Sequence, residues 1–154
     1  MIPRATAGQP DLAGIAMASA AQWEVQLDIA AFAAVEPEIG EFLSREGVAG
    51  RAAYVSQLVI EEIVRNLIAH TPPYADDETI KVALTVTTRM VTVVIEDARP
   101  PFNPFEGPEL DVEAPLEQRR PGGMGLHLVR SLADELTYEH SSQRNRLTAR
   151  VSRQ

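Results

Sequence analysis

Two neighbouring segments rich in Val, Ile and Thr constrain the fold of this chain more than any other feature. They run from Thr79 to Thr88 and from Val91 to Glu96, and only Arg89 and Met90 separate them. Residues of this type favour the extended backbone of a strand, and two strands joined by so short a link are typical of a hairpin. The sequence therefore predicts an antiparallel β-hairpin near the middle of the chain.

Periodicity and turn residues predict further elements on both sides of this hairpin. Trp23 to Ile29 alternates apolar with polar residues, which is the period of a half-buried strand. Pro37 suits the first turn of a helix. A longer helix from about Gly50 to His70 ends at Thr71-Pro72-Pro73, because proline cannot continue the hydrogen-bond ladder. The later predicted elements are a helix from Gly125 to Leu136 and two closing strands, Leu136 to Tyr138 and Arg146 to Val151.

This order of elements predicts an α+β fold. We expect a two-layer α/β sandwich, in which helices cover one face of a mixed, mainly antiparallel sheet. Residues 1–20 are Ala-rich and broken by Gly and Pro, and are predicted to be a flexible tail, whereas residues 21–154 form a single domain. Residues 98–123 hold six prolines up to Pro121 and show no periodicity, which predicts a long loop or lid.

Composition excludes several classes of function. The net charge is -8 and the sequence pI is about 4.9, so duplex nucleic acid is not an expected partner and a basic protein surface is preferred. The chain has no cysteine, which excludes disulfides and thiolate catalysis and fits a cytoplasmic protein. No apolar run approaches the roughly 20 residues of a membrane span. Lys81 is the only lysine, and the Gly-x4-Gly-Lys-Ser/Thr phosphate loop is absent.

Three polar residues of the longer helix are spaced four apart, namely Glu62, Asn66 and His70. At about 3.6 residues per turn, each is only ~40° further round the helix than the one before, so they form one narrow stripe. The stripe lies within the apolar arc of the helix, where polar groups are either satisfied internally or offered to a ligand. Asn66 could bind magnesium through its side-chain oxygen, and Glu62 could act as a general base. Taken alone, the Glu-x3-Asn pair is common surface decoration.

Further along the chain, three features suit the rest of a nucleotide. Asp97 follows a predicted strand and could accept the adenine amino group, although it could also be an ordinary turn residue. Gly123 and Gly125 precede a helix, and glycines there let the backbone approach a phosphate. Arg119 and Arg120 could close over terminal phosphates with forked hydrogen bonds, or could simply be solvated. Neither a zinc site nor a serine hydrolase has support in the sequence.

The ordered set of motifs resembles the GHKL superfamily of ATP-binding proteins, and within it the small bacterial anti-sigma factors that are serine kinases. The resemblance covers about residues 23–151. It is carried by Glu62-x3-Asn66-x3-His70, by Asp97-x4-Phe102-Asn103-Pro104, by Gly122-Gly123-Met124-Gly125-Leu126 and by Asn145-Arg146-Leu147-Thr148. Arg99 stands where the family commonly has glycine.

The resemblance implies an ATP- and magnesium-dependent serine/threonine protein kinase in the bacterial cytoplasm. Such a protein regulates transcription by sequestering a sigma factor and phosphorylating a serine on a STAS-type anti-sigma antagonist, and it is a possible homodimer. Glu62 would be the catalytic base and Asn66 the metal ligand. The cofactor-binding residues would be Asn66, His70, Asp97, Arg120, Gly123, Gly125 and Leu126.

Two alternatives remain open. The first is a non-catalytic sigma-binding or scaffold module with a degenerate nucleotide pocket, which Arg99 favours. The second, a histidine kinase catalytic domain, is ranked last because 154 residues leave little room for a dimerisation helix pair. The family also makes Phe42 and Leu43 candidates for a dimer or sigma contact, with core packing as the competing interpretation.

Overall fold

A computed structural model describes residues 18–70, 78–106, 113, 115 and 123–154. In this part of the chain, three helices pack on a five-stranded sheet. The elements in chain order are β1 (Ser19–Gln26), α1 (Ile29–Arg45), α2 (Gly50–Ala69), β2 (Thr79–Val86), β3 (Met90–Asp97), α3 (Gly123–Leu132), β4 (Glu135–Ser141) and β5 (Arg144–Ser152).

The strands lie in the order β1-β2-β3-β5-β4, and each of the four neighbouring pairs is antiparallel. The hairpin predicted from the Val, Ile and Thr segments is β2 and β3, with Val82 opposite Ile95. The α+β class is thereby confirmed, and the strand pairing of the described sheet is antiparallel throughout. Loop 98–106 follows β3, and most of the rest of the predicted lid lies outside the described residues.

The core lies between the sheet and the helices. Alternate residues of the central strands are fully buried, among them Leu84 and Val93, because successive side chains of a strand point to opposite faces. Helix α2 contributes Val59 and Ile63 from its apolar stripe, each at most 1% exposed. This burial fixes the rotation of α2 about its axis, and so decides which of its polar residues stand at the edge of the core.

The first strand and first helix differ from the prediction. Strand β1 begins at Ser19 and ends at Gln26, whereas Ile29, predicted in the strand, is the first residue of α1 and is 69% exposed. The side chain of Asp28 caps the helix by accepting a hydrogen bond from the Ala30 amide at 2.9 Å. Pro37 therefore lies inside α1 and not in its first turn, so that prediction was wrong.

The candidate contact residues of α1 belong to the core. Phe42 is 4% exposed and Leu43 is 1% exposed. The Phe42 ring packs edge-on against Trp23, with 6.0 Å between the ring centroids. Phe42 and Leu43 therefore pack in the core. Within the described ranges, none of the helices has the length and apolar character needed to cross a membrane.

The buried face of the sheet predicts a large effect of truncating a side chain there. Leu84 is fully buried, so Leu84→Ala removes apolar contacts and leaves a cavity, and should lower the free energy of unfolding by about 2–5 kcal/mol. Thr85, the next residue, is exposed, and Thr85→Ala should change it by less than about 0.5 kcal/mol. Urea denaturation measures both variants. Equal effects of the two changes would contradict the assigned faces of β2.

Candidate functional site

Glu62 lies on the side of α2 that meets the start of α3. The position of its carboxylate is defined by Gly125, in the first turn of α3: a Cβ atom added to Gly125 would fall 2.7 Å from Glu62 Oε1 and closer still to the other carboxyl atoms. A side chain on any other residue at this position would require the Glu62 carboxylate, which ends a flexible side chain, to move. Glu61, by contrast, forms an ion pair with Arg65 at 3.1 Å and is 40% exposed. The two adjacent glutamates thus have different surroundings.

Asn66, one turn further along α2, holds a buried polar atom that lacks a partner. Its Oδ1 is buried and has no hydrogen bond from any of the residues that the structure describes. Leaving such an oxygen without a partner costs on the order of 1–3 kcal/mol, so a water molecule, a metal ion or another ligand is expected to bind it. A neutral side-chain oxygen is a suitable ligand for magnesium. Asn66 and the nearby Glu62 carboxylate therefore fit a magnesium ion.

His70 stands at the C-terminal end of α2. Its Nδ1 lies 2.8 Å from the carbonyl oxygen of Asn66, and its ring packs on Phe102 with 5.0 Å between centroids and 33° between planes. The side chain is exposed. His70 therefore closes the helix end and contacts the loop after β3, while Glu62, two turns earlier, lies against α3.

Asp97, the last residue of β3, is 4% exposed. Its Oδ1 accepts hydrogen bonds from the Arg99 amide at 3.0 Å and from Asn145 Nδ2 at 2.9 Å. Both of these bonds go to the same oxygen, so Oδ2 is the atom of the carboxylate that could accept a hydrogen bond from a ligand.

Arg99 occupies the position where the family commonly has glycine, and its guanidinium lies at the C-terminal end of α2. Its Nη1 donates to the carbonyl oxygen of Leu67 at 3.2 Å, at the C-terminal end of α2. Its Nε lies 3.5 Å from Asp97 Oδ1 and 3.7 Å from Glu78 Oε2. The guanidinium therefore complements the helix dipole and two carboxylates.

A small cavity lies beside Asp97. Its free volume is about 10 Å³, close to the space of one water molecule. Residues from α2, the sheet and the loop after β3 line it: Ile63, Leu67, Ile95, Asp97, Phe102, Pro104, Tyr138, Asn145 and Leu147.

Asn145 and Tyr138 belong to this site although neither was among the residues predicted to bind a ligand. Asn145 faces Asp97 across the β3 and β5 pair, and it is 4% exposed. Tyr138 donates to Asn145 Oδ1 from the neighbouring strand β4. The sequence motif around Asn145 suggested a strand, and only the register of that strand reveals which residue it faces.

The remaining predicted residues divide into two groups. Gly123 and Gly125 lie at the start of α3, and Leu126 follows them, packed partly against the core. This places the glycines in the first turn of a helix, where free amides can receive a phosphate. Arg120 lies outside the described residues, as does Arg119.

With this geometry, comparison with known proteins identifies the family. The chain belongs to the family of histidine kinase-like ATPase domains, which it matches over residues 25–151. This confirms the GHKL resemblance. One relative is the serine/threonine-protein kinase BtrW of Bordetella bronchiseptica, which is 26% identical over 104 residues, or 68% of this chain and 73% of BtrW.

The fold also has a solved counterpart. It is similar to the crystal structure of the RsbU and RsbW domains of a Mycobacterium tuberculosis protein, with a TM-score of 0.59 and 18% sequence identity. The similarity covers 86% of this chain and 32% of the solved one, so this chain corresponds to a part of that protein.

The close approach of Gly125 to Glu62 predicts that the two positions are energetically coupled. In a helix, Gly→Ala normally stabilises by about 0.5–1 kcal/mol. Gly125→Ala should lose this gain because the new methyl group displaces the Glu62 carboxylate, and should recover it in a Glu62→Ala background. A double-mutant cycle by urea denaturation should give a coupling of about 0.5–1 kcal/mol. As a control, Gly40→Ala places its Cβ 3.8 Å from Gln57 Nε2, which is an ordinary contact. Additive effects at 125 and 62 would contradict the geometry.

Proposed function

We propose that this chain binds ATP with magnesium and is a serine-protein kinase of the anti-sigma type. The observation that carries the proposal is the buried Oδ1 of Asn66, which has no hydrogen-bond partner among the described residues, on the same helix face as the Glu62 carboxylate that lies against α3. The family of histidine kinase-like ATPase domains supports nucleotide binding, and the name of BtrW supports a serine or threonine as the phosphate acceptor.

Each part of the nucleotide has a candidate partner in the site. Asp97 Oδ2 would accept a hydrogen bond from the adenine amino group. The amides of the first turn of α3, at Gly123 and Gly125, would bind phosphate oxygens, with Leu126 and Arg120 alongside. Asn66 would hold magnesium, which when bound offsets phosphate charge. His70 would flank the site through its contact with Phe102.

Glu62 would act on the serine of the protein substrate. Its carboxylate accepts the hydroxyl proton as the serine oxygen attacks the γ-phosphorus. A bond forms between that oxygen and phosphorus, the bond from the γ-phosphorus to the bridging oxygen breaks, and ADP leaves. The carboxylate lies against Gly125, whose backbone amide is among those proposed to bind phosphate, so α2 and α3 would bring base and phosphate together.

The partners would be a sigma factor and a STAS-type antagonist that carries the serine. The formal charge of -8 favours a basic docking surface on the partner. A sigma-binding module without catalysis is the second candidate, and the narrow cavity beside Asp97 is the observation that favours it. Measurements of nucleotide binding and of phosphoryl transfer distinguish the kinase from the non-catalytic module.

Nucleotide binding is tested by titration calorimetry with a slowly hydrolysed ATP analogue, with and without magnesium. We expect magnesium to strengthen binding, and Asn66→Ala to weaken the magnesium-dependent binding by about tenfold or more, because it removes a metal ligand. Asp97→Asn should weaken binding in both conditions. The exposed Gln57 lies on the same helix, and Gln57→Ala should bind like the wild type. Magnesium-enhanced binding that persists in Asn66→Ala would refute the metal assignment.

Catalysis is tested by transfer of the labelled γ-phosphoryl group from ATP to STAS-domain antagonist proteins. Glu62→Gln should reduce the transfer rate by about 10²–10⁴-fold while ATP still binds, because an amide cannot accept the proton. Glu61→Gln is the matched control, since Glu61 pairs with Arg65, and it should retain the rate. Equal losses in both variants would contradict the role of Glu62. Binding of ATP without transfer to any antagonist would favour the non-catalytic module.

A further inference from the structure

The loop that follows β3 closes the cavity in which the proposed function places the nucleotide base. Phe102 and Pro104 of this loop form one side of the cavity, and the free volume is about 10 Å³. Ligand sites are typically on the order of 300–1,000 Å³. A base can therefore enter only if part of the lining moves. The sides formed by Ile63 and Ile95 belong to the core, at 1% and 2% exposure, whereas Phe102 is only partly buried, so the loop is the side of the cavity that the core fixes least.

Two side chains of the sheet hold this loop by its backbone. The Phe102 amide donates both to the Tyr138 hydroxyl at 3.0 Å and to Asn145 Oδ1 at 3.1 Å. Asn145 Nδ2 donates to the carbonyl oxygens of Arg99 at 3.1 Å and Pro100 at 3.0 Å. Three backbone groups of the loop, from Arg99, Pro100 and Phe102, thus bind one side-chain amide, and the Tyr138 hydroxyl binds the Phe102 amide as well.

The same amide also holds the carboxylate proposed to bind adenine. Asn145 Nδ2 donates to Asp97 Oδ1 at 2.9 Å, and this bond joins neighbouring strands paired in register. The Tyr138 hydroxyl donates to Asn145 Oδ1, from a strand that is also paired with β5. Asn145 is thus bonded to Asp97 and Tyr138 of the neighbouring strands as well as to the loop.

The ring of Phe102 completes the closure from the other side. It packs on the His70 ring at the end of α2, with the centroids 5.0 Å apart. Further along the loop, Arg130 of α3 donates to the Phe105 carbonyl oxygen, and its guanidinium lies 5.5 Å from the centre of the Phe105 ring. The loop is thus tied to α2, α3 and the sheet at successive residues.

We propose that Tyr138 and Asn145 form a latch that holds the loop closed over the base site, and that the latch must open before a nucleotide can enter. In this account Asn145 is also a positioning residue, which orients Asp97. The inference rests on the proposed function. Only the small fraction of molecules with an open loop would accept a nucleotide, so the association rate follows the strength of the latch.

The test removes one hydroxyl group. Tyr138→Phe deletes a donor to Asn145 and an acceptor for the Phe102 amide but keeps the ring that lines the cavity. One net hydrogen bond corresponds to about two- to tenfold in an equilibrium constant. The association rate of a fluorescent ATP analogue, measured by stopped flow, should rise by that factor. Tyr54→Phe is the matched control, because Tyr54 is 59% exposed on α2, and it should leave the rate unchanged.

Amide hydrogen exchange without nucleotide provides an independent measurement of the latch. Exchange of the Phe102 amide should accelerate by the same factor in Tyr138→Phe, while exchange of the core amide of Val93 stays constant. Equal acceleration at Val93 would reveal general destabilisation and overturn the latch. A second variant, Phe102→Ala, keeps the backbone bonds and removes the ring from the cavity, and should also speed association.

The outcomes separate the latch from the function. Faster association and faster Phe102 exchange in Tyr138→Phe support the latch. Nucleotide binding at an unchanged rate in both Tyr138→Phe and Phe102→Ala overturns it and leaves the proposed function standing. A third outcome is that the wild-type protein binds no nucleotide while the Tyr138→Phe variant still shows faster exchange of the Phe102 amide. This result overturns the proposed function and supports the hydrogen bonds of the latch. If Tyr138→Phe does not fold, an unchanged rate in Phe102→Ala alone overturns the gating role.

Discussion

The packing of α2 across the middle of the sheet is the contact on which the rest of the structure depends. Val59, Ile63 and Val64 of this helix are at most 1% exposed and face the buried side of the sheet. Burying that stripe fixes the rotation of the helix, which leaves Glu62 against the first turn of α3 and Asn66 one turn further along α2. The site is thus a consequence of the core: the side chains that stabilise the fold also determine where the polar residues lie.

The parts of the fold that depend on local patterns were predictable from the sequence. The β2 and β3 hairpin, the length of α2 and the α+β class follow from β-branched residues, apolar periodicity and the stop at Thr71-Pro72-Pro73. The start of α1 was missed because the alternation of β1 continues through Ile29, whereas the Asp28 cap begins the helix there. Local alternation could not show that Asp28 was a cap and Pro37 an interior residue.

For the site, the sequence identified candidate residues by their type and spacing. The structure adds their burial and the contacts between them. The prediction that Glu62, Asn66 and Asp97 serve a nucleotide remains a prediction, but their burial and contacts now give it physical content. Asn145 could not be found by spacing, because its role comes from the register that sets it opposite Asp97. The side-chain position of Arg99 could not be found from the sequence either. An arginine where the family commonly has glycine would suggest a blocked site, but its guanidinium lies against the end of α2.

The most direct test of the central claim is a two-dimensional NMR titration of the isotopically labelled protein with magnesium and a slowly hydrolysed ATP analogue. The account predicts that the largest shifts fall on the side-chain amide of Asn66, on the backbone amides of Asp97 and Gly125, and on the amide of Phe102. These groups lie on α2, on β3, on α3 and on the loop after β3, and the account brings them together at one nucleotide site. Shifts confined to other surfaces, or none at saturating analogue, would contradict the account.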